Sequence, residues 1–416
     1  MTQALGHGSR CARAIVEGQG HVSSTDLARH AGGRALKITA VQAYPMVIPR
    51  PRPSWTAHEI STEATLILVE VQTDAGVRGY GEIQGGPQSL ICRLVTQFGE
   101  IICGMDALAH VDVWERLFAL TSPRPGWMRG QDGLPPPLPR GQRPQVMAAI
   151  GGIDIALWDI KGKAANMPIY RLLGSARQDV LTYATGGYYV EDAPLTACAE
   201  ELGGFVAAGY RAVKLKTCGL PMEEELVRIR ACREAIGDAL LMLDMNAPYD
   251  VHECIKFAKA VEPYNIFWLE EPLHWYLQPA DYVRLAEAVA IPLAHGEREW
   301  HRFTIRDFIT SGALRFVQFD ATRHAGFTEA LRIAALAEQY GVSIAPHTAP
   351  HIHGHLVAAF GASAFAAESH GDPERNPIHH GLYTAGPTVR DGRLHLNDRP
   401  GFGVDIDWAF VKKHQA

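Results

Sequence analysis

From Gly174 onward the chain alternates short apolar runs with helical segments, and no other feature restricts its fold as much. Runs near 180–186, 212–217, 240–246, 266–271, 291–297, 316–320, 342–347 and 364–368 have the length and composition of buried strands. Segments such as 221–237, 251–263, 281–289 and 326–340 place apolar residues at helical spacing between them. Eight strands interleaved with helices predict an α/β fold, a (β/α)8 barrel of the TIM type. A doubly wound sheet is the alternative, but nothing in the chain resembles a Gly-rich dinucleotide turn.

The informative residues are those that end the strands. Lys214 and Lys216 end the second and Asp244 and Asn246 the third. Glu270 ends the fourth and Glu297 the fifth. Asp320, His347 and Glu368 end the last three. Side chains two apart on a strand share a face, and barrel active sites lie at the C-terminal ends of the strands. Seven successive strands delivering ionisable groups to one rim predict a catalytic site. Asp244, Glu270 and Glu297 offer three carboxylates from adjacent strands, which suit a hard cation such as Mg2+. The lack of Cys or His in this set argues against zinc. Lys216 and His347 are expected on opposite sides of that metal as acid/base residues. Lys214 would lower the pKa of Lys216 by like-charge repulsion, and Asp320 would orient His347.

The preceding half reads differently. Residues 36–84 predict antiparallel β: the apolar run Ala64–Gln72, a turn at Thr73–Gly76 and a return strand at Val77–Glu82. Residues 88–120 carry helical spacing, and Ala148–Lys163 forms a helix with Ile150, Ile153, Ala156, Leu157 and Ile160 on its apolar face. Between them, 122–145 is rich in Pro, Gly and Arg and predicts a long loop. Together with 50–61, which contains Trp55 and His58, it is expected to act as a lid whose Arg and Trp residues face the barrel mouth. Residues 1–35 read as a flexible extension rather than a secretory signal.

Composition excludes other classes. The 416 residues are 47% hydrophobic and 20% charged, with a formal net charge of −6 and no basic block, so nucleic acid is not an expected partner. No apolar stretch suggests a membrane span. The seven cysteines are scattered and never in CxxC spacing, which predicts a cytoplasmic protein without a disulfide framework. Cys218, though near the site, reads as a packed small side chain.

These motifs taken in order resemble the enolase superfamily, in its mandelate racemase-type branch (the mandelate racemase/muconate lactonizing enzyme family), from about Ile38 to about Gly403. The motifs are Gly152–Lys163, Lys214-x-Lys216, Asp244-x-Asn246, Glu270-Glu271-Pro272, Gly296-Glu297 and Asp320 with His347. The resemblance implies Mg2+ ligation by Asp244, Glu270 and Glu297, with Lys216 (beside Lys214) and His347 (with Asp320) as acid/base residues. It implies substrate contact by Asn246 and a hydrogen bond from Glu368, as an acid, to the substrate carboxylate. It further implies an α+β capping domain over 36–150, completed by the tail 386–416, around a barrel over 151–385, and a homo-oligomer. The reaction it implies is abstraction of the proton α to a small-molecule carboxylate. Dehydration of an acid sugar to a 2-keto-3-deoxy acid is the favoured outcome; cycloisomerisation and racemisation or epimerisation are the alternatives. Departures are the extension, the 122–145 loop, Arg298-Glu299 after the third ligand, and His351, His353 and His355 after His347. Two rivals remain: a zinc hydrolase barrel using His351-x-His353, and a barrel that only binds ligand.

Overall fold

The computed structural model describes residues 35–369 and 371–416, so the extension expected at 1–35 lies, but for Ala35, outside the described residues. Three long strands open the chain: β1 (Ile38–Trp55), β2 (Ile60–Thr73) and β3 (Arg78–Ile83), antiparallel in the order β3-β2-β1. Both faces of β2 are covered, which explains why Ala64–Gln72 is apolar at nearly every position rather than at alternate ones. Ile67, Val69 and Val71 pack with the helices Gln88–Ile102, His110–Phe118 and Arg143–Ala164. Leu66 and Leu68 pack against Met46, Leu382 and Val411 on the opposite face. The helix expected over 88–120 is two helices. Between them the backbone returns to β1, where Ile38 N–H donates to Met105 O (2.9 Å) and Gly104 N–H to Ile38 O (2.8 Å).

Helix Arg143–Ala164 joins this layer to the barrel. Glycines on β3 let it approach: a Cβ at Gly79 would lie 2.0 Å from Ala156 O, and one at Gly81 2.1 Å from Gly152 O. Asp154 on this helix accepts from the amide (2.8 Å) and hydroxyl (2.6 Å) of Thr328. Asp159 accepts from the amides of Tyr80 and Phe402, each at 3.0 Å, and pairs with Lys163 at 2.6 Å. The Gly152–Lys163 motif is thus a set of joints between cap, barrel and tail.

The barrel strands are β4 (Asp179–Gly186), β6 (Ala212–Lys216), β7 (Leu240–Asp244), β8 (Ile266–Glu270), β9 (Leu293–His295), β10 (Phe316–Val317), β11 (Ser343–Ile344) and β12 (Ala367–Ser369). Each pairs parallel to the next in that order, and β12 pairs with β4. A parallel bridge between Ile344 and Ala364, with Phe365 N–H donating to Ile344 O at 2.8 Å, closes the ring. The short β5 (Tyr189–Val190) pairs with the end of β1, Trp55 opposite Tyr189. In the tail, β13 (Tyr383–Ala385) pairs with β16 (Asp405–Ile406), while β14 (Thr388–Arg390) and β15 (Arg393–His395) form a hairpin laid on β4. Helix Trp408–His414 instead packs on the antiparallel sheet, with Trp408 5.2 Å from the ring of Tyr44. The tail expected to complete the cap therefore serves both layers. Among the described residues no helix is long and apolar enough to cross a membrane.

Candidate active site

One residue from each barrel strand, or directly beside it at Ala345 and Ala366, forms a plug: Tyr183, Ala212, Met242, Trp268, Ala294, Phe316, Ala345 and Ala366. Bulky and small side chains share one layer of the interior. Two residues further along, the same inward positions carry Thr185, Lys214, Asp244, Glu270, Gly296, Gln318, His347 and Glu368. The pleat repeats every two residues, so an apolar floor lies directly beneath a polar layer. Left-handed non-glycine residues crowd the strand ends, with φ of +53° at Asn246, +64° at Ala247, +44° at Glu271 and +49° at Thr348. Such backbone is costly and collects where a site over-determines it.

Asp244, Glu270 and Glu297 offer oxygens that all lie within 4.8 Å of one another, and all three residues are buried. Two ammonium groups face them. Lys216 Nζ is 2.5 Å from Asp244 Oδ2 and 3.3 Å from Asn246 Oδ1. Lys214 Nζ is 2.7 Å from Glu270 Oε1, 3.0 Å from Glu368 Oε1 and 3.5 Å from Asp244 Oδ2. Across the polar layer, His347 Nδ1 is 3.0 Å from Asp320 Oδ2, and its Nε2 is 3.3 Å from Glu297 Oε2. That Glu297 oxygen is buried and lacks a partner in hydrogen-bond geometry.

The charges perturb one another. Burial alone would push the Lys216 ammonium pKa down, but the Asp244 carboxylate outweighs it and the net shift is upward. Lys214 does pull it down, as expected, but Asp244 and then Tyr188 outweigh that pull, so the net shift is opposite to the expected one. Burial and the neighbouring Asp244 push Glu270 well above the usual carboxylate range. Burial would also raise Glu297 and Asp320; His347 and Arg323 pull both below their ordinary values instead.

A cavity of about 970 Å³ opens above this layer, and Lys216, Asn246, Glu297 and His347 line it. His58 also lines it, edge-on to Trp275 at 4.4 Å between centroids. Trp55 does not reach it and stacks on Tyr189 (5.7 Å, 20°). Glu368 does not reach it either. Its oxygens are taken by Lys214, the Thr185 hydroxyl and the Thr348 amide (3.1 Å), which leaves none aimed at a substrate carboxylate. Of the two expected lid segments only the β1–β2 hairpin lines the cavity; no residue of 122–145 does. That loop folds on itself, with Arg124 held by Asp132 (2.6 Å) and the carbonyls of Ala119 and Pro135, and Leu134 and Leu138 on the cap core.

The departures also find partners. Arg298 Nε donates to both oxygens of Glu271 (2.8 and 2.7 Å) and its guanidinium lies 4.9 Å over Trp275. Glu299 meets His295 Nε2 at 3.3 Å. His351, His353 and His355 sit on helix Pro350–Phe360 and face different partners: Glu82, the Ala321 amide and the Tyr170 amide. They converge on no common point, which removes the zinc-hydrolase reading. Arg50, from the 50–61 segment whose arginines were expected to face the mouth, does line the cavity; Tyr188, Arg375 and His379 line it too but stood out in no motif, since none ends a barrel strand.

Comparison with known proteins agrees with this geometry. Residues 38–174 match the mandelate racemase/muconate lactonizing enzyme N-terminal domain, and residues 197–410 match the enolase C-terminal domain-like family. The chain is 34% identical over 349 residues to L-talarate/galactarate dehydratase of Salmonella typhimurium, covering 83% of this chain and 81% of that one. It is 32% identical over 390 residues to D-galactarolactone cycloisomerase of Agrobacterium fabrum, covering 89% and 97%. A structure of an L-talarate/galactarate dehydratase mutant liganded with Mg and L-glucarate superposes with a TM-score of 0.79 at 26% identity, covering 98% of each chain. With its closed barrel, its antiparallel cap and both domain matches, this chain is an enzyme of the mandelate racemase/muconate lactonizing enzyme family within the enolase superfamily.

Proposed function

We propose that this enzyme removes the proton α to a carboxylate in a Mg2+-dependent reaction, and that it dehydrates an acid sugar to a 2-keto-3-deoxy acid. The observation that carries the reading is the buried carboxylate triad flanked by Lys216 on one side and the His347–Asp320 pair on the other. Asp244, Glu270 and Glu297 would hold the metal. Their donor set is all oxygen, and Glu297 Oε2 is buried without a hydrogen bond, as a ligand atom for a hard cation would be. Bound there, Mg2+ supplies the positive charge that offsets the doubly negative carboxylate left when the α-proton departs.

The chain's own residues move the protons. Asp320 accepts the Nδ1–H of His347, which fixes the ring and turns Nε2 toward the triad. Lys216 Nζ reaches the triad from strand β6, in contact with Asp244 and Asn246. One of the two takes the α-proton. The other gives a proton to the β-hydroxyl as the C–O bond breaks, and the enol formed tautomerises to the ketone. The configuration at C2 of the substrate decides which does which. The plug closes the site from beneath, and the β1–β2 hairpin of the cap lines the cavity above it. Similarity to a cycloisomerase favours a second reading, in which a ring oxygen leaves in place of water.

The test is a screen of acid sugars with Mg2+, detecting 2-keto product by carbonyl derivatisation and product mass. Loss of water from at least one acid sugar is expected. Undiminished turnover in metal-free enzyme, or neither product nor α-proton exchange in D2O across the panel, refutes the reading.

A further inference from the structure

We propose that the outer end of the cavity is a subsite for a second carboxylate built by Arg50 and Arg375, so that the preferred substrates are aldarates, sugar acids with a carboxylate at both ends, rather than aldonates. This rests on the acid-sugar reading above and narrows it. Arg50 comes from β1 of the cap and Arg375 from the connection after β12, and both line the same cavity as Lys216. They touch: an Arg50 guanidinium N–H donates to the carbonyl of Arg375.

The two arginines keep spare donors although two carboxylates stand near Arg375. Among the described residues Arg50 has no carboxylate within ion-pair distance, and its Nε donates only to the neutral Ser61 hydroxyl at 2.9 Å. Its guanidinium is held below its ordinary value by burial and then by the charge of Arg375. Arg375 donates from one terminal nitrogen to Glu201 at 3.4 Å and lies 3.9 Å from Asp372. Its Nε is buried and makes no hydrogen bond. Two like charges gathered with spare donors are costly unless an anion joins them, and a carboxylate matches a guanidinium in shape and charge. The other arginines lining the cavity are not available: Glu271 already takes Arg298 Nε, and Arg323 pairs with Glu297 and Asp320.

The pair also stands at a suitable place. The ring of Tyr188 has Arg375 4.0 Å from its centroid on one hand and Lys216 Nζ 5.5 Å away on the other. The two cations can therefore be no further apart than these two distances laid end to end, a span for a short polyol chain. An aldarate would set its reacting end beside Lys216 and its distal carboxylate on the arginines. An aldonate ends in a hydroxymethyl group, which leaves the donors unpaired, and sites built for a polar group discriminate strongly against analogues that lack it.

The experiment measures kcat/KM with Mg2+ for six-carbon aldarates and the aldonates of matching configuration, on wild type, Arg50→Met, Arg375→Met and Arg50→Lys. Wild type should favour the best aldarate over its aldonate by about tenfold or more, the worth of one charged hydrogen bond. Each Met variant should lower that preference by about tenfold or more, chiefly through KM for the aldarate, and Arg50→Lys should restore part of it. An equal or reversed preference in wild type overturns the proposal and needs no variant to fold. An unchanged preference in both folded Met variants overturns it too. Dehydration confined to aldonates would sink this inference while leaving the acid-sugar reading intact; no turnover of either class removes both.

Discussion

Replacing Glu368 with Gln tests where the strand-eight carboxylate acts. It accepts Lys214 at 3.0 Å, and the two side chains are 3% and 0% exposed. Losing one partner of a buried ion pair costs about 3–5 kcal/mol. Lys214 keeps Glu270 at 2.7 Å, so the lower end, about 3 kcal/mol, is expected. Linkage gives a similar figure by a separate route. Burial would raise the Glu368 pKa, but Lys214 and then His347 pull it down to about 2 from an ordinary 4.5. A depression of that size corresponds to roughly 3 kcal/mol. Because the folded pKa is depressed, this stabilisation is present above the unfolded pKa and fades as pH falls from about 4.5 towards 2. Thermal unfolding of wild type and Glu368→Gln at pH 7 should differ by about 3–4 °C in a chain of this length. The gap should shrink in acid. Substrate KM should change little beside stability. A KM raised more than tenfold with an unchanged melting temperature would show that Glu368 meets substrate, and the placement argued above would be wrong.

Metal chelation should abolish activity and Mg2+ should restore it, with Glu270→Gln weakening Mg2+ binding in calorimetry; stoichiometric tightly bound zinc is the contrary result. In D2O, at least one of Lys216→Ala and His347→Asn should lose α-proton exchange entirely, by NMR of the substrate, whereas wild-type exchange and turnover in both removes these residues from the mechanism. Asp159→Ala leaves the buried amides of Tyr80 and Phe402 unpaired and should destabilise by about 3–5 kcal/mol in urea without changing Mg2+ affinity. A change below about 1 kcal/mol would mean that water replaces those bonds.

Much of the barrel was legible because its strands are short, apolar and evenly spaced, and because the pleat forces polar residues at Lys214, Asp244, Glu270 and His347 onto one face. Three helices were not. Arg302–Thr310 carries four charged or hydroxyl residues in its first six, and Pro350–Phe360 begins with proline and is crowded with histidines, which blurs the apolar spacing of a helix in both. Ala197–Ala207 is short and its glycines weaken the helical pattern. The break within 88–120 was hidden because apolar residues continue at helical spacing across Gly104, whose φ of +84° ends the first helix. The lining of the cavity mouth was half legible. Composition marked 50–61 and 122–145 alike, but only tertiary contacts decide which Pro/Arg-rich segment faces the mouth. Glu368 and Trp55 show the same limit: a strand end or an aromatic near the rim does not reveal whether a neighbour has already taken its polar atoms or its face.

The charges around the polar layer give a final argument for the cation. Asp244, Glu270, Glu271, Glu297, Asp320 and Glu368 are six buried carboxylates in contact with one another's partners. The permanent cations among them are four: Lys214, Lys216, Arg298 and Arg323. With all six ionised, the carboxylates outnumber those four cations by two, with His347 beside Glu297 and Asp320 to meet part of the excess. The cost is visible at Glu270, which is pushed well above the usual carboxylate range by burial and by Asp244. Protonating the triad would relieve that repulsion, and so would a divalent cation shared by its oxygens, which alone leaves all three carboxylates charged. The lysines do not substitute for it: Lys214 is fully buried between Glu270 and Glu368, and Lys216 spends its contact on Asp244. A cation taking part of the Asp244 charge would also weaken the pull that raises the Lys216 pKa, so under the proposed function metal binding and proton exchange at Lys216 would be coupled through a single carboxylate.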